Sequence, residues 1–211
     1  MSGVTLAIAV LTGRRPDLLA KTLDTFTTHH PGIWESAART VFHNSGDPET
    51  AEVLDRYQWH DRQTHQGRLL GIGQASNRLS EQALDTGADY ILRLEDDWLA
   101  DPVDWLNDTV DLADRYGQVR LRRLSETRAT RCLICRKPIR WVEDGRHLAT
   151  GDAHYTYNPT LMSRTQFAAV LPHKDERGDR RRFHGRPIAQ HVPGVFAHAE
   201  GMSLRRNGGA R

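Results

Sequence analysis

The sequence predicts an α/β fold in one domain, an open and mostly parallel sheet with helices on both faces. Three observations carry this. Val4 to Leu11 is a short, apolar, partly β-branched run, the pattern of a strand buried on both sides. A strand, a turn and a helical period then follow one another repeatedly up to about residue 116. The chain has 211 residues, of which 38% are hydrophobic and a further 17 are glycine, enough for one sizeable core.

After the first strand, Thr12-Gly13-Arg14-Arg15 turns the chain, and Pro16 and Asp17 suit the first turn of a helix. Leu18, Leu19, Thr22, Leu23 and Phe26 continue it at helical spacing, and Pro31-Gly32 stops it. Thr40 to His43 reads as a second strand. Asn44-Ser45-Gly46-Asp47-Pro48 is a turn in which Asp47 can cap a helix running to about Tyr57. Ile72, Ala75, Leu79 and Ala83 space out another helix that ends at Gly87, and Asp89 to Leu94 reads as a strand running into Glu95-Asp96-Asp97-Trp98. Pro102 to Tyr116 is a further helix. Beyond it the pattern weakens: strands at Gln118 to Leu124, Ile139 to Val142 and Pro193 to His198, a helix at Ser163 to Leu171, and a mobile surface segment at Asp175 to Arg186. No internal repeat and no interdomain linker appears, so residues 1–211 are expected to form a single domain.

The longest aliphatic run, Leu6 to Leu11, is far short of the ~20 residues needed to cross a bilayer. No basic residue precedes it and no small-residue cleavage pattern follows, and two cysteines give no disulfide framework, so a cytoplasmic protein is expected.

Glu95-Asp96-Asp97 places three carboxylates directly after an apolar strand, where their mutual repulsion demands a cation. In extended backbone Glu95 and Asp97 would share one face and Asp96 would take the other. Oxygen ligands on a short loop suit a hard divalent ion, magnesium or manganese, with open positions for phosphate oxygens. The plainer alternative is that Asp96 and Asp97 cap the following turn.

Here the sequence resembles the GT-A fold nucleotide-sugar glycosyltransferases, and among them the inverting family 2. The likeness rests on the first strand with Arg14 to Leu19 and Thr22-Leu23, on Asn44-Ser45-Gly46-Asp47, and on Gly71-Ile72-Gly73-Gln74-Ala75-Ser76-Asn77 through Ala88 to Leu92 and on to Glu95-Asp96-Asp97-Trp98. It covers about residues 3–100. It is thinner later, at Asn158-Pro159-Thr160-Leu161, Phe196-Ala197-His198 and Ser203-Leu204. The resemblance implies that residues 1–100 bind a nucleoside-diphosphate sugar and a metal ion, and that residues 101–211 build the acceptor site of a hexosyl- or pentosyltransferase. By the same resemblance Asp97 is the direct metal ligand, joined by Glu95 and by His198. The donor contacts fall to Thr12, Arg14, Asn44, Asp47, Asn77, Glu95 and Asp96. Many members carry an arginine where this chain has Ser76, so Arg68 or Arg78 is expected to meet the diphosphate instead. His198 can equally be a partly buried histidine bonded to backbone.

Inverting transfer needs a carboxylate to take the acceptor's proton. The placement of the base in the resembled family favours Glu176 or Asp175, with Asp152 in reserve; two solvated loop acids paired with arginines are the alternative. Cys132 and Cys135 form a single C-x-x-C. Two buried thiols explain it more simply than a zinc site completed by His147 and His154, whose spacing is unusual for zinc.

The net charge of +2 hides an asymmetry, since residues 115–211 sum to +12 and include Arg120-Leu121-Arg122-Arg123 and Arg180-Arg181-Arg182. A polyphosphate gains from such a field by counterion release, whereas a neutral glycan does not. Some bacteriophage enzymes of the resembled kind glycosylate hydroxymethylated bases of DNA, so DNA is the expected acceptor. A cell-surface polysaccharide or lipid, or a sugar-nucleotide-binding module without catalysis, is the alternative.

Overall fold

Leu6, Ile8 and Val10 of the first strand lie in one core cluster, while Ala7, Ala9 and Leu11 lie in another. This strand, β1 (Leu6–Thr12), is therefore buried on both faces along its whole length. The structure, a computed structural model, describes residues 3–122, 135, 137–150, 159–183, 185–192 and 194–199, without the side chains of residues 176, 177 and 180.

Around β1 the first half of the chain is wholly parallel. β2 (Ala38–His43) pairs with β1 on one side and β4 (Tyr90–Glu95) on the other, and β3 (Asp61–Thr64) extends the edge beyond β2. Helices α1 (Pro16–His29), α2 (Pro31–Ser36) and α3 (Pro48–Leu54) supply Leu19, Leu23, Phe26, Trp34, Val53 and Leu54 to the first cluster. α4 (Ile72–Asp85) lays Ala75, Leu79 and Ala83 on the opposite face. Pro31 ends α1 as expected but also opens α2, because a proline at the first helical position lacks only an N–H that would have had no partner.

Beyond β4 the sheet gains antiparallel pairs. A short β5 (Trp98–Ala100) leads to α5 (Leu106–Tyr116), which packs Val110, Leu112 and Ala113 into the first cluster. β6 (Gln118–Arg120), β7 (Val142–Asp144), β8 (His147–Thr150), β9 (Thr160–Ser163) and β10 (Ile188–Gln190) complete a sheet of order β3-β2-β1-β4-β9-β6-β10-β8-β7. β9 runs antiparallel between β4 and β6, so Thr160–Ser163 is a strand, and the expected helix begins only at Arg164 as α6 (Arg164–Ala169). The segment expected to be a mobile surface loop contains α7 (Glu176–Arg182), with Asp179 fully buried. β11 (Phe196–His198) pairs antiparallel with β5 in a separate two-stranded ribbon.

Candidate functional site

The parallel register decides where the carboxylates go. Leu11 lies opposite Glu95, so the turn after β1 sits beside the turn after β4, at the carboxyl ends of the strands. Asp96 is met there by the Thr12 hydroxyl at 2.9 Å and the Gly13 N–H at 3.0 Å, both donating to its Oδ2. Arg15 spans the pair. One guanidinium nitrogen donates to Asp97 Oδ2 at 2.7 Å and the other to Asp96 Oδ1. The side chains of Asp96 and Asp97 are 0% exposed, whereas that of Arg15 is 42% exposed.

The expected alternation therefore fails: β4 ends at Glu95, the backbone turns, and Asp96 and Asp97 lie side by side on one guanidinium. Burial pushes the Asp96 carboxyl above the usual range despite Arg15 and the Gly13 amide. Burial also works against the Arg15 charge, but Asp96, Asp97 and Glu95 together hold its pKa above the ordinary value.

His198 arrives from the far end of the chain. β11 pairs with β5 so that His198 lies opposite Trp98, the Ala199 N–H donates to the Asp97 carbonyl at 2.9 Å, and the His198 ring packs edge-on against Trp98 at 5.1 Å. Its Nε2 is 3.3 Å from Asp97 Oδ2. A carboxylate oxygen and an imidazole nitrogen thus face one point, a donor pair suited to manganese. Glu95 differs, its carboxylate being 4.0 Å from the guanidinium of Arg93.

Several residues expected to touch the donor are committed to the scaffold. Asn44 donates to the Leu70 carbonyl and accepts from the Leu70 N–H, both at 3.1 Å, which fixes the chain entering α4. Asp47 caps α3, with the Thr50 N–H donating to its Oδ1 at 2.9 Å, and its Oδ2 lies 3.1 Å from His43 Nε2. Burial would raise the Asp47 pKa, but the bonds from Ser45, Thr50 and His43 hold it well below the usual range. Asn77 bonds the backbone of His173 through both ends of its amide. Arg14 and Arg68 are exposed, and Arg78 pairs with Glu81 at 3.4 Å.

Ser76 is itself met by a buried arginine. Arg93 on β4, 1% exposed, donates from Nη2 to the Ser76 hydroxyl at 2.8 Å, so a guanidinium reaches α4 from the neighbouring strand. Neither Arg15, which bridges Asp96 and Asp97, nor Arg93 is among the residues the sequence marks for the site. The signal for Arg15 is its place just beyond a central strand, where a parallel neighbour must bring the next turn.

The candidate base segment docks on α4. Asp175 Oδ1 accepts from the Gly178 N–H at 2.6 Å and so caps α7. Just before it, His173 Nδ1 lies 3.0 Å from Asp179 Oδ2, and the Lys174 N–H donates to Asp179 Oδ1 at 3.1 Å. Burial lowers the His173 pKa in spite of Asp179. Glu176 opens α7, its side chain lying outside the described set, as do Asp152, Cys132 and His154. Cys135 is exposed, which removes it from the expected pair of buried thiols.

A second group of possible metal ligands joins Asp108, His147 and His191, one ligand atom from each lying within 4.8 Å of the others. Its lone pairs are partly spent. The Val192 N–H donates to His147 Nδ1 at 3.1 Å, the Arg146 Nε–H donates to His147 Nε2 at 3.4 Å, and Arg146 already pairs with Asp108. His191 is fully buried with neither ring nitrogen hydrogen-bonded to a described residue, and burial beside His147 and Arg146 pushes its pKa down to about 4.

No protein family and no curated protein matches the chain by sequence. Solved structures do. S. aureus TarS 1-349 matches with a TM-score of 0.56 and 12% identity over 92% of this chain and 60% of that one. The same protein in complex with UDP matches at 0.57, 12%, 92% and 60%. Its complex with UDP-GlcNAc gives 0.55, 11%, 92% and 58%. The chain therefore spans at most about three fifths of the length of these structures. What they share with it is architecture, and the fold of this chain is the GT-A glycosyltransferase fold.

Proposed function

We propose that the chain is a nucleotide-sugar glycosyltransferase that uses a divalent ion, manganese or magnesium, and transfers with inversion. The observation that carries this reading is the buried Asp96–Asp97 pair with His198 at the carboxyl ends of β1 and β4. It is supported by a fold whose solved counterparts include complexes with UDP and UDP-GlcNAc. Asp97 and His198 would hold the ion, and Glu95, turned toward Arg93, would stand outside them. Bound there, the ion offsets the charge that develops on the departing diphosphate. Thr12 and the Gly13 amide fix Asp96, and the exposed Arg14, Arg68 and Arg78 remain the arginines proposed for the donor.

In the proposed transfer the acceptor hydroxyl oxygen attacks the anomeric carbon while a carboxylate takes its proton. The bond from that carbon to the diphosphate oxygen breaks, and its electron pair leaves with the diphosphate. Glu176 is the proposed base. Asp175 spends one oxygen on capping α7, which ranks it second, and Asp152 is third.

The proposed acceptor is DNA with hydroxymethylated bases, on the strength of the +12 carried by residues 115–211. One observation favours the second reading, a glycan or lipid hydroxyl: Arg120 and Arg122 are only 1% and 8% exposed, so they belong to the core and present no surface to a polyanion. Arg181 and Arg182 are exposed, although Arg182 also donates to the carbonyls of Leu171 and Pro172. The proposed compartment is the cytoplasm. Among the described residues no helix is long and apolar enough to cross a membrane.

A panel of nucleoside-diphosphate sugars, assayed for released diphosphate with manganese present, tests the reaction. No hydrolysis or transfer with any donor would leave a sugar-nucleotide-binding module. Duplex binding measured against salt, followed by transfer onto DNA with and without hydroxymethyl bases, tests the acceptor. Salt-insensitive or absent binding with no transfer returns the acceptor to the glycan or lipid class.

A further inference from the structure

The carboxylates proposed to hold the ion already hold a cation. Asp96 and Asp97 are closed to solvent, and the group bridging them is Arg15, whose side chain is 42% exposed. Among the described contacts, the Thr12 hydroxyl and the Gly13 amide also lie on Asp96, and His198, whose side chain is 1% exposed, lies beside Asp97. Asp97 Oδ2 is shared, 2.7 Å from Arg15 and 3.3 Å from His198 Nε2.

We infer that Arg15 is an exchangeable countercation, a plug over Asp96 and Asp97 that a divalent ion must displace and that, once displaced, is released to the diphosphate of the donor. This rests on the metal-dependent reading above. The physical ground is that two buried carboxylates need positive charge in every state of the site, and that one guanidinium fork and one divalent ion can each supply it. They compete for Asp97 Oδ2. Arg15 is the member of the group with an exposed side chain, and it extends from the turn after β1, at the strand ends where an open α/β sheet takes its ligand. A guanidinium freed from carboxylates is matched to phosphate by the same two-pronged geometry.

The consequence is thermodynamic coupling. Without a nucleotide Arg15 competes with the ion, and a diphosphate offers it another anion, so nucleotide and ion should strengthen each other's binding by equal factors. The test is manganese binding to the full chain, by electron paramagnetic resonance of the free ion, with and without UDP and after subtraction of the ion's own complex with UDP. Wild type, Arg15→Ala and Arg15→Lys are compared. Losing a charge-assisted fork should tighten manganese binding without nucleotide about tenfold in Arg15→Ala, weaken UDP, and remove most of the coupling. Arg15→Lys, which keeps the charge without the fork, should fall between. Thermal melts provide a second readout: Arg15→Ala should melt lower than wild type without ion and gain more from manganese. Unchanged or weaker manganese binding in folded Arg15→Ala and Arg15→Lys would overturn the plug while leaving a metal-dependent reaction standing. Absence of manganese binding in wild type and both variants would overturn the plug and the metal reading together.

Discussion

Asn77 and His173 are joined side chain to backbone: Asn77 Nδ2 donates to the His173 carbonyl at 2.9 Å, and Asn77 Oδ1 accepts from the His173 N–H at 2.6 Å. One turn earlier on α4, Gly73 lies so close to the same segment that an added Cβ would collide with the Lys174 carbonyl. α4 thus carries a two-point dock for the segment that leads to Asp175 and Glu176. If that segment bears the base, α4 sets the distance between donor and base.

Gly73→Ala tests the dock by volume. Backbone cannot yield as a flexible side chain does, so stability should fall by about 1–3 kcal/mol. Turnover should drop while UDP affinity changes little, because the segment displaced is the one proposed to carry the base. A folded Gly73→Ala with full turnover would show that the dock does not govern the chemistry.

Asn77→Ala probes the same contact by hydrogen bonding. It strands one backbone donor and one acceptor of a part-buried segment, at about 1–3 kcal/mol each where water cannot replace the amide. The measurement is a denaturant melt paired with the kcat and KM of transfer, and the expected loss lies in kcat.

Glu176→Gln keeps size and removes the base. Turnover should fall ~10²–10⁴-fold with donor affinity nearly unchanged. Normal turnover would pass the role to Asp175 and then Asp152, each tested as its amide.

Asp97 is fully buried against Arg15 and His198, so Asp97→Ala should lower stability as well as activity. Asp97→Asn is the cleaner probe, because it keeps the shape while removing the charge. Transfer should fall more than about 100-fold, and excess chelator should do the same to the unmodified protein. Full activity in chelator would reject the metal.

His191 gives a pH signature. Its folded pKa, near 4, lies below the ordinary 6.5, so between these values the unfolded chain binds the extra proton. Its contribution is complete above about pH 6.5 and is lost as pH falls toward 4, by up to about 3 kcal/mol. Denaturant melts of wild type and His191→Leu should diverge in this window. The variant should be less pH-sensitive and, having no unbonded buried imidazole, near wild-type stability at pH 8.

Elements whose identity is local were legible in the sequence. The double-faced burial of β1, the Asp47 cap, α4 and the strand leading into Glu95 all follow from periodicity and capping within short windows. The sequence also marked the carboxylate triplet and the position of His198. Which charges meet depends on the packing of strands distant in sequence. Arg15 reaches Asp96 and Asp97 only because β1 and β4 are parallel neighbours, and Arg93 reaches Ser76 only because β4 adjoins β1, the strand on which α4 packs. β9 and β10 are too short to declare themselves and exist through pairing with β4, β6 and β8. Asp179 is acidic and sits among arginines in a polar stretch, yet it is buried because His173 and the Lys174 amide satisfy it. The division has one physical reason. Backbone preference acts over a few residues, whereas a buried charge is tolerated only where distant parts of the chain supply its partner.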